Sequence, residues 1–209
     1  MNTDQNRNFS YGERRQFSAI ERYAIGLRLQ VVVDALARLE GAAQGAALRV
    51  LELGCGYRAN NLQYLQQRYP EMRFTGVDLT VDEAFPPQPG LTLLAADLND
   101  WQPEQEYDCV LSLAVAEHLL DPQRHFQLIA ESLRGGGVAL VTSPTPPAHA
   151  VLSLLAWLNI FDQEEIQDHK LYLTREGLHA LAEGAGLVVQ AYRTFSLGMN
   201  QFAILARNE

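Results

Sequence analysis

The chain has 209 residues, enough for one domain with a sizeable core, or one domain with a modest extension. Its hydrophobic fraction of 47% and charged fraction of 20% are ordinary for a globular protein. The net charge of -9 and the scattered basic residues exclude nucleic acid as an expected partner, because such binding starts from phosphate neutralisation by Lys and Arg.

In chain order, residues 1–10 are polar and are expected to fray. Over residues 12–39, Phe17, Ile20, Tyr23, Ala24, Leu27, Val31, Ala35, Leu36 and Leu39 recur at helical spacing and predict one or two amphipathic helices. A small-residue linker at 41–45 then sets residues 1–45 apart as a helical cap on a main domain at 46–209. Residues 48–53 read as a strand ended by Gly54, 61–69 as a helix stopping before Pro70, and 73–78 as a second strand. Pro86, Pro87 and Pro89 keep any following helix short. Residues 91–95 and 108–113 are the third and fourth strands. A helix at 122–133 is closed by Gly135, Gly136 and Gly137, and 138–142 is the fifth strand. Strands alternating with helices imply parallel β-α-β units and a doubly wound sheet. The tail differs. Thr174 caps a helix at 174–185 with Gly186 beyond its end, and strands at 187–195 and 201–206 are joined by a link too short for anything but an antiparallel pair. The expected fold is α/β: a three-layer, Rossmann-like, seven-stranded sheet, mostly parallel, with an antiparallel C-terminal hairpin and an apolar insertion at 144–170.

Cys55 and Cys109 form no CxxC pair, so neither a disulfide framework nor a metal site is expected. The start has no apolar leader core, and no apolar run approaches the roughly 20 residues that span a bilayer. A cytoplasmic location follows by default.

The chemistry concentrates after the first strand. Gly54-Cys55-Gly56-Tyr57-Arg58-Ala59 fits the G-x-G-x-x-G/A turn, where glycines let a ligand approach backbone N–H groups. Asp78, ending the second strand, suits a ribose diol. Both features serve a dinucleotide or S-adenosylmethionine equally. Glu52 discriminates, unless it is a plain solvated strand-end acid: a carboxylate here repels a pyrophosphate and attracts a ligand that carries an ammonium, a sulfonium and no phosphate.

The segments LELGCG, GVDL, AADL, YDCVLSLAVAEHL and LRGGGVALVTSP, over about residues 48–144, resemble those of class I S-adenosylmethionine-dependent methyltransferases in order and spacing. Arg58 departs from the pattern, standing where many members have a third glycine, and this bears on the loop path. The resemblance implies S-adenosylmethionine as cofactor. It implies that Glu52 faces the methionine ammonium, directly or through water, and that Gly54, Cys55 and Gly56 line the methionine portion. Asp78, with Leu79, would bind the ribose, and Asp97, with Leu98, the adenine amino group. Ser112, Leu113 and Ala114 would close the cofactor's other side. Asp97 also reads as a turn former beside Asn99 and Asp100.

For the acceptor, His118 follows the fourth strand and is a candidate general base, or else it packs a short helix. Methyl transfer from a sulfonium can proceed by orientation alone, so a base is not required. His169 is a second candidate, with His149 beside it in rank; Arg22 or Tyr23 could reach the cofactor from the N-terminal helices. Residues 148–161 are strongly apolar. They read as a helix packed on the core, or alternatively as a lid, a dimer face or a peripheral membrane contact. The stretch TPPAHAVL…EIQDHKLYLT resembles segments of bacterial methyltransferases associated with cell-surface glycans. The expected function is therefore methyl transfer to oxygen of a small-molecule or glycan acceptor. An NAD(P)-dependent oxidoreductase or epimerase explains the glycines and Asp78 but not Glu52, the hairpin or the missing Tyr-x-x-x-Lys pair. A catalytically inactive binding protein on the same fold is the third reading.

Overall fold

The computed structural model describes residues 19–43, 45–148 and 173–208. The polar start and the apolar stretch at 149–172, with His149 and His169, lie outside the described residues.

The N-terminal pattern forms one helix over the described part, α1 (Ala19–Ala42). Its second half buries a broad face, with Val31, Val32, Val33, Ala35 and Leu36 all in the core. The Tyr69 hydroxyl donates to the Val33 carbonyl at 2.9 Å and ties this helix to the main body. Then follow β1 (Arg49–Leu53), α2 (Asn60–Arg68), β2 (Arg73–Asp78), β3 (Leu91–Ala95) and β4 (Tyr107–Leu113). After them come α3 (Pro122–Ser132), β5 (Leu133–Pro144), α4 (Arg175–Gly184), β6 (Leu187–Phe195) and β7 (Asn200–Arg207).

The seven strands form one sheet in the order β3-β2-β1-β4-β5-β7-β6. β1 to β5 are parallel neighbours, whereas β7 runs antiparallel to both β5 and β6. This is the expected architecture. The strand order reverses between β1 and β4, the place where an open α/β sheet leaves a crevice at its carboxyl edge. Alternation along the strands divides the core. Val50, Cys109 and Leu111 face α1 and α2, while Leu51, Leu53 and Val110 face α3 and α4. Among the described residues no helix is long and apolar enough to cross a membrane.

Local signals account for the element ends. Asp121 caps α3 by accepting from the Arg124 N–H at 2.9 Å, with Pro122 opening the helix. Thr174 caps α4 through the Gly177 N–H at 3.0 Å. One boundary differs from expectation. The triple glycine does not follow α3 as a loop but lies inside β5, which starts at Leu133. A Cβ on Gly137 would stand 3.0 Å from the Tyr107 carbonyl oxygen, so the glycines let β5 enter the sheet tightly beside β4, at a register shift.

The hairpin between β6 and β7 turns through Ser196, Leu197 and Gly198, all at positive φ. Its tip is bound to the end of β5: the Thr145 hydroxyl donates to the Gly198 carbonyl at 2.6 Å. On β7, the buried Gln201 amide donates to Ser143 Oγ at 3.0 Å and to the Leu173 carbonyl at 2.7 Å.

Candidate cofactor site

At the crevice, the turn after β1 is fixed from both sides. The Gly54 N–H donates to the Val77 carbonyl at 2.8 Å, holding the turn against β2. Gly54 has φ +74°, and a Cβ there would come within 2.6 Å of Val115 Cγ2, so the loop after β4 presses on it. Gly56 also has φ +74°, but a Cβ there would meet no atom within 4 Å. Its N–H donates to Asp78 Oδ2 at 2.8 Å. Strand β1, the end of β2 and the loop after β4 thus meet at two residues without side chains.

Glu52 is fully buried, which overturns its reading as a solvated acid. Asn61 at the start of α2 donates to its Oε1 at 2.8 Å, while Oε2 has no hydrogen-bond partner. Burial pushes the Glu52 carboxyl up to about 8; the Asn61 bond and the Arg28 charge oppose the rise and Asp78 adds to it. A buried oxygen lacking a donor is costly and fits the N–H of a cationic ligand. This unmet oxygen and the open space at Gly56 are the two observations that match S-adenosylmethionine, whose ammonium would meet Glu52.

A pH dependence follows. A cation requires the ionised carboxylate, and the free group ionises near 8. Affinity for S-adenosylhomocysteine should therefore fall as pH drops from 8 to 6, by up to about tenfold per unit. Calorimetry at three pH values checks this, and a flat profile would place the ammonium elsewhere.

Asp78 is partly buried, and desolvation raises it while N–H groups of Gly56, Thr80 and Leu79 pull it back. Leu79 beside it is 49% exposed. Asp97 is exposed and folds onto its own loop, its Oδ1 accepting from the Asn99 N–H at 2.9 Å and the Asn99 amide at 2.7 Å. The turn-forming geometry is thus present there, and Leu98 packs partly into the second core.

Ser112 is placed differently from the rest. Its hydroxyl lies 2.8 Å from Nε2 of the buried His125 on α3, on the far face of the sheet. Burial drives His125 down to about 4, so it is neutral. Leu113 is buried towards α1, and Ala114 adopts φ +59° with its N–H bonded to the Thr142 carbonyl at 3.0 Å. Cys55 is buried with its thiol raised by burial.

The loop continues into a 3-10 turn, Ala116–His118. His118 is exposed, whereas its neighbour Glu117 is 1% exposed with neither carboxyl oxygen partnered. Burial raises Glu117 to about 7, with the Arg28 charge opposing. Arg28 on α1 feels both Glu117 and Glu52. Arg22 and Tyr23 fall within α1, but their side chains lie outside the described residues. The structure thus brings Glu52, Gly54, Gly56 and Asp78 together around one turn, with Asn61 bonded to Glu52 and Arg28 acting on both Glu52 and Glu117. Arg28 left one sequence signal, a charge one turn after Ala24 on the apolar stripe.

Comparison with known proteins agrees. Residues 21–192 match a family model described as a methyltransferase domain. The chain is 30% identical over 154 residues to a trans-aconitate 2-methyltransferase of Escherichia coli (strain 55989), covering 69% of this chain and 58% of that protein. Another, from Escherichia coli O17:K52:H18, is 35% identical over 114 residues, covering 52% and 45%. The chain therefore spans about half the length of the curated relatives it matches. Among solved structures, magnesium protoporphyrin IX methyltransferase from Synechocystis PCC 6803 with bound S-adenosylhomocysteine has a TM-score of 0.65 at 15% identity, covering 93% of this chain and 90% of that one. An O-methyltransferase of neocarzinostatin biosynthesis, in complex with S-adenosylmethionine and 2-hydroxy-5-methyl naphthoic acid, has a TM-score of 0.58 at 16% identity, covering 76% and 48%. At these identities the solved structures speak for the fold. Together with the buried acid at the β1 turn, the family match places this chain among the class I S-adenosylmethionine-dependent methyltransferases, with S-adenosylmethionine as its cofactor.

Proposed function

We propose that the chain methylates an oxygen of a small-molecule or glycan acceptor. The observation that carries the transfer reading is the buried Glu52 oxygen that lacks a donor, beside the open turn at Gly56. Support for a small acceptor comes from the relatives, named for trans-aconitate, and from O-methyltransferases of mitomycin and neocarzinostatin biosynthesis among the similar folds. The net charge of -9 speaks against a nucleic-acid acceptor.

S-adenosylmethionine supplies an electrophilic methyl group on a sulfonium. The chain's own work is orientation and exclusion of water. Glu52 would hold the ammonium, Asn61 keeping its carboxyl in place. Asp78, steadied by the Gly56 N–H, would accept from the ribose hydroxyls. Asp97 and Leu98 would reach the adenine, and the backbone at 112–114 would line the opposite wall. We assign the acceptor to the space beside α1 and the turn holding His118.

The test is transfer of labelled methyl from S-adenosylmethionine across trans-aconitate, phenols, hydroxy acids and glycans, with NAD titrated in parallel. O-methylated product from one class supports the reading. Cofactor binding with no product from any class would favour the inactive binding protein, and NAD binding without S-adenosylhomocysteine binding would favour the oxidoreductase. For the best acceptor, His118→Ala is expected to lower kcat by about 100-fold if His118 takes a proton. Unchanged turnover would remove that role.

A further inference from the structure

The loop after β4 holds a charged group that the reading above does not use. Glu117 is enclosed at 1% exposure, and both its oxygens lack a hydrogen-bond partner. It is not remote from the cofactor turn, since Val115, two residues earlier, is the side chain that a Cβ on Gly54 would strike. Glu52 contributes a third unpartnered oxygen. The Arg28 guanidinium acts on both acids through its field, yet it hydrogen-bonds to none of these three oxygens, and its own Nε is buried without a partner.

Two buried acids with unmet oxygens and one counter-charge held apart from them make a poor hydrophobic core. Burying a carboxyl without partners costs several kcal/mol, on the order of what a core replacement would recover. The arrangement suits a ligand with two cationic centres joined by a short aliphatic linker. S-adenosylmethionine has this form, its ammonium and its sulfonium being separate charges.

We infer that Glu117 is a second cofactor-recognising carboxylate, facing the sulfonium while Glu52 faces the ammonium, with Arg28 as the positioning residue that balances the pair. This rests on the cofactor reading and deepens it. A sulfonium carries no N–H, so its attraction to Glu117 is one of charge, strong where water is excluded. Glu117 therefore separates the charged cofactor from its neutral product: S-adenosylhomocysteine keeps the ammonium but has an uncharged sulfur. Product release is favoured by the same group that favours cofactor entry. Burial holds the free Glu117 carboxyl near 7, so arrival of the sulfonium also draws a proton from it. The groups acting on it are its own backbone N–H and Arg28 from α1, both of which oppose the effect of burial; Arg28 in turn feels Glu52 from β1.

Calorimetry with three probes tests the inference: S-adenosylmethionine, sinefungin, which carries an amine in place of the methylsulfonium, and S-adenosylhomocysteine. Glu117→Gln should weaken the first two by about tenfold, ~1.4 kcal/mol, and leave S-adenosylhomocysteine within about twofold. Glu117→Asp should retain most of the preference, and Arg28→Met should increase it. Melting curves show that each variant is folded. Equal weakening of all three probes by Glu117→Gln would make the residue structural and overturn the inference, as would no change in any. If the unaltered protein bound none of the probes, the cofactor reading itself would fail.

Discussion

Glu52→Gln is expected to weaken S-adenosylhomocysteine by at least about 100-fold and, at the same time, to make the ligand-free protein more stable. The two effects share one cause. The side chain is fully buried and one carboxyl oxygen has no donor, so the free protein carries an uncompensated desolvation penalty. Its carboxyl ionises near 8 when folded, against 4.5 ordinarily. A group raised in this way contributes full stability only below its unfolded value, and that stability is lost as pH rises through the folded value. At pH 8 the uncharged amide escapes the penalty. It keeps an oxygen to accept from Asn61, and a gain of at least about 1 kcal/mol is expected, roughly 2–4 °C in melting temperature. At pH 5 the difference between the two proteins should shrink. Melting curves at both pH values, beside calorimetry, make the check. Loss of stability at pH 8 would mean that Glu52 supports the fold and is not held ready for a ligand.

Gly54→Ala is the second large effect. The backbone is at φ +74°, where an L side chain costs about 1–2 kcal/mol, and the new Cβ would lie 2.6 Å from Val115 Cγ2 and 3.1 Å from Cγ1. Together these should destabilise the protein by about 2–4 kcal/mol and lower cofactor affinity more than tenfold, because the turn cannot stay where it is. Gly56→Ala isolates the backbone part, since φ is the same there and the space is open; a loss of about 1 kcal/mol is expected. Adding Val115→Ala to Gly54→Ala should restore the steric part only. Urea unfolding of the set gives the coupling between the two positions. A fully additive pair would show that the contact is relieved by other movements.

The fold is legible in the sequence because short apolar strands, buried along nearly their whole length, alternate with stretches of helical spacing. Residues 73–78 and 91–95 are strands in the structure with the expected ends. The triple glycine was harder. Glycines after a helix normally mark a loop, yet these serve a strand that must pass the Tyr107 carbonyl closely, a constraint set by a neighbour distant in the chain. In the site, Glu52, Gly54, Gly56 and Asp78 were legible because backbone and strand-end positions follow from local order. What local order leaves out is the surroundings. Nothing near Glu52 in the chain says that α1 and α2 enclose it. Ser112 illustrates a different gap. Its place at a strand end pointed to the cofactor, but it shares the parity of Val110 and so its hydroxyl falls beside α3. Asp97 carried its own signal, the Asn two residues on that completes its turn.

The bonds around Gln201 have an evolutionary consequence. One amide joins Ser143, at the end of β5, to Leu173, just before α4. Thr145 is fastened to the hairpin tip alongside. The two points where the chain leaves and rejoins the sheet around residues 146–172 are therefore stapled together by the hairpin, independently of what lies between them. Loop-closure entropy grows only slowly with length, so such a base tolerates replacement of the intervening stretch by others of different length and composition. The β1 turn with Glu52 is two strands away in the sheet, past β4. Under the proposed function, exchange of that stretch changes the acceptor and leaves the cofactor turn as it is.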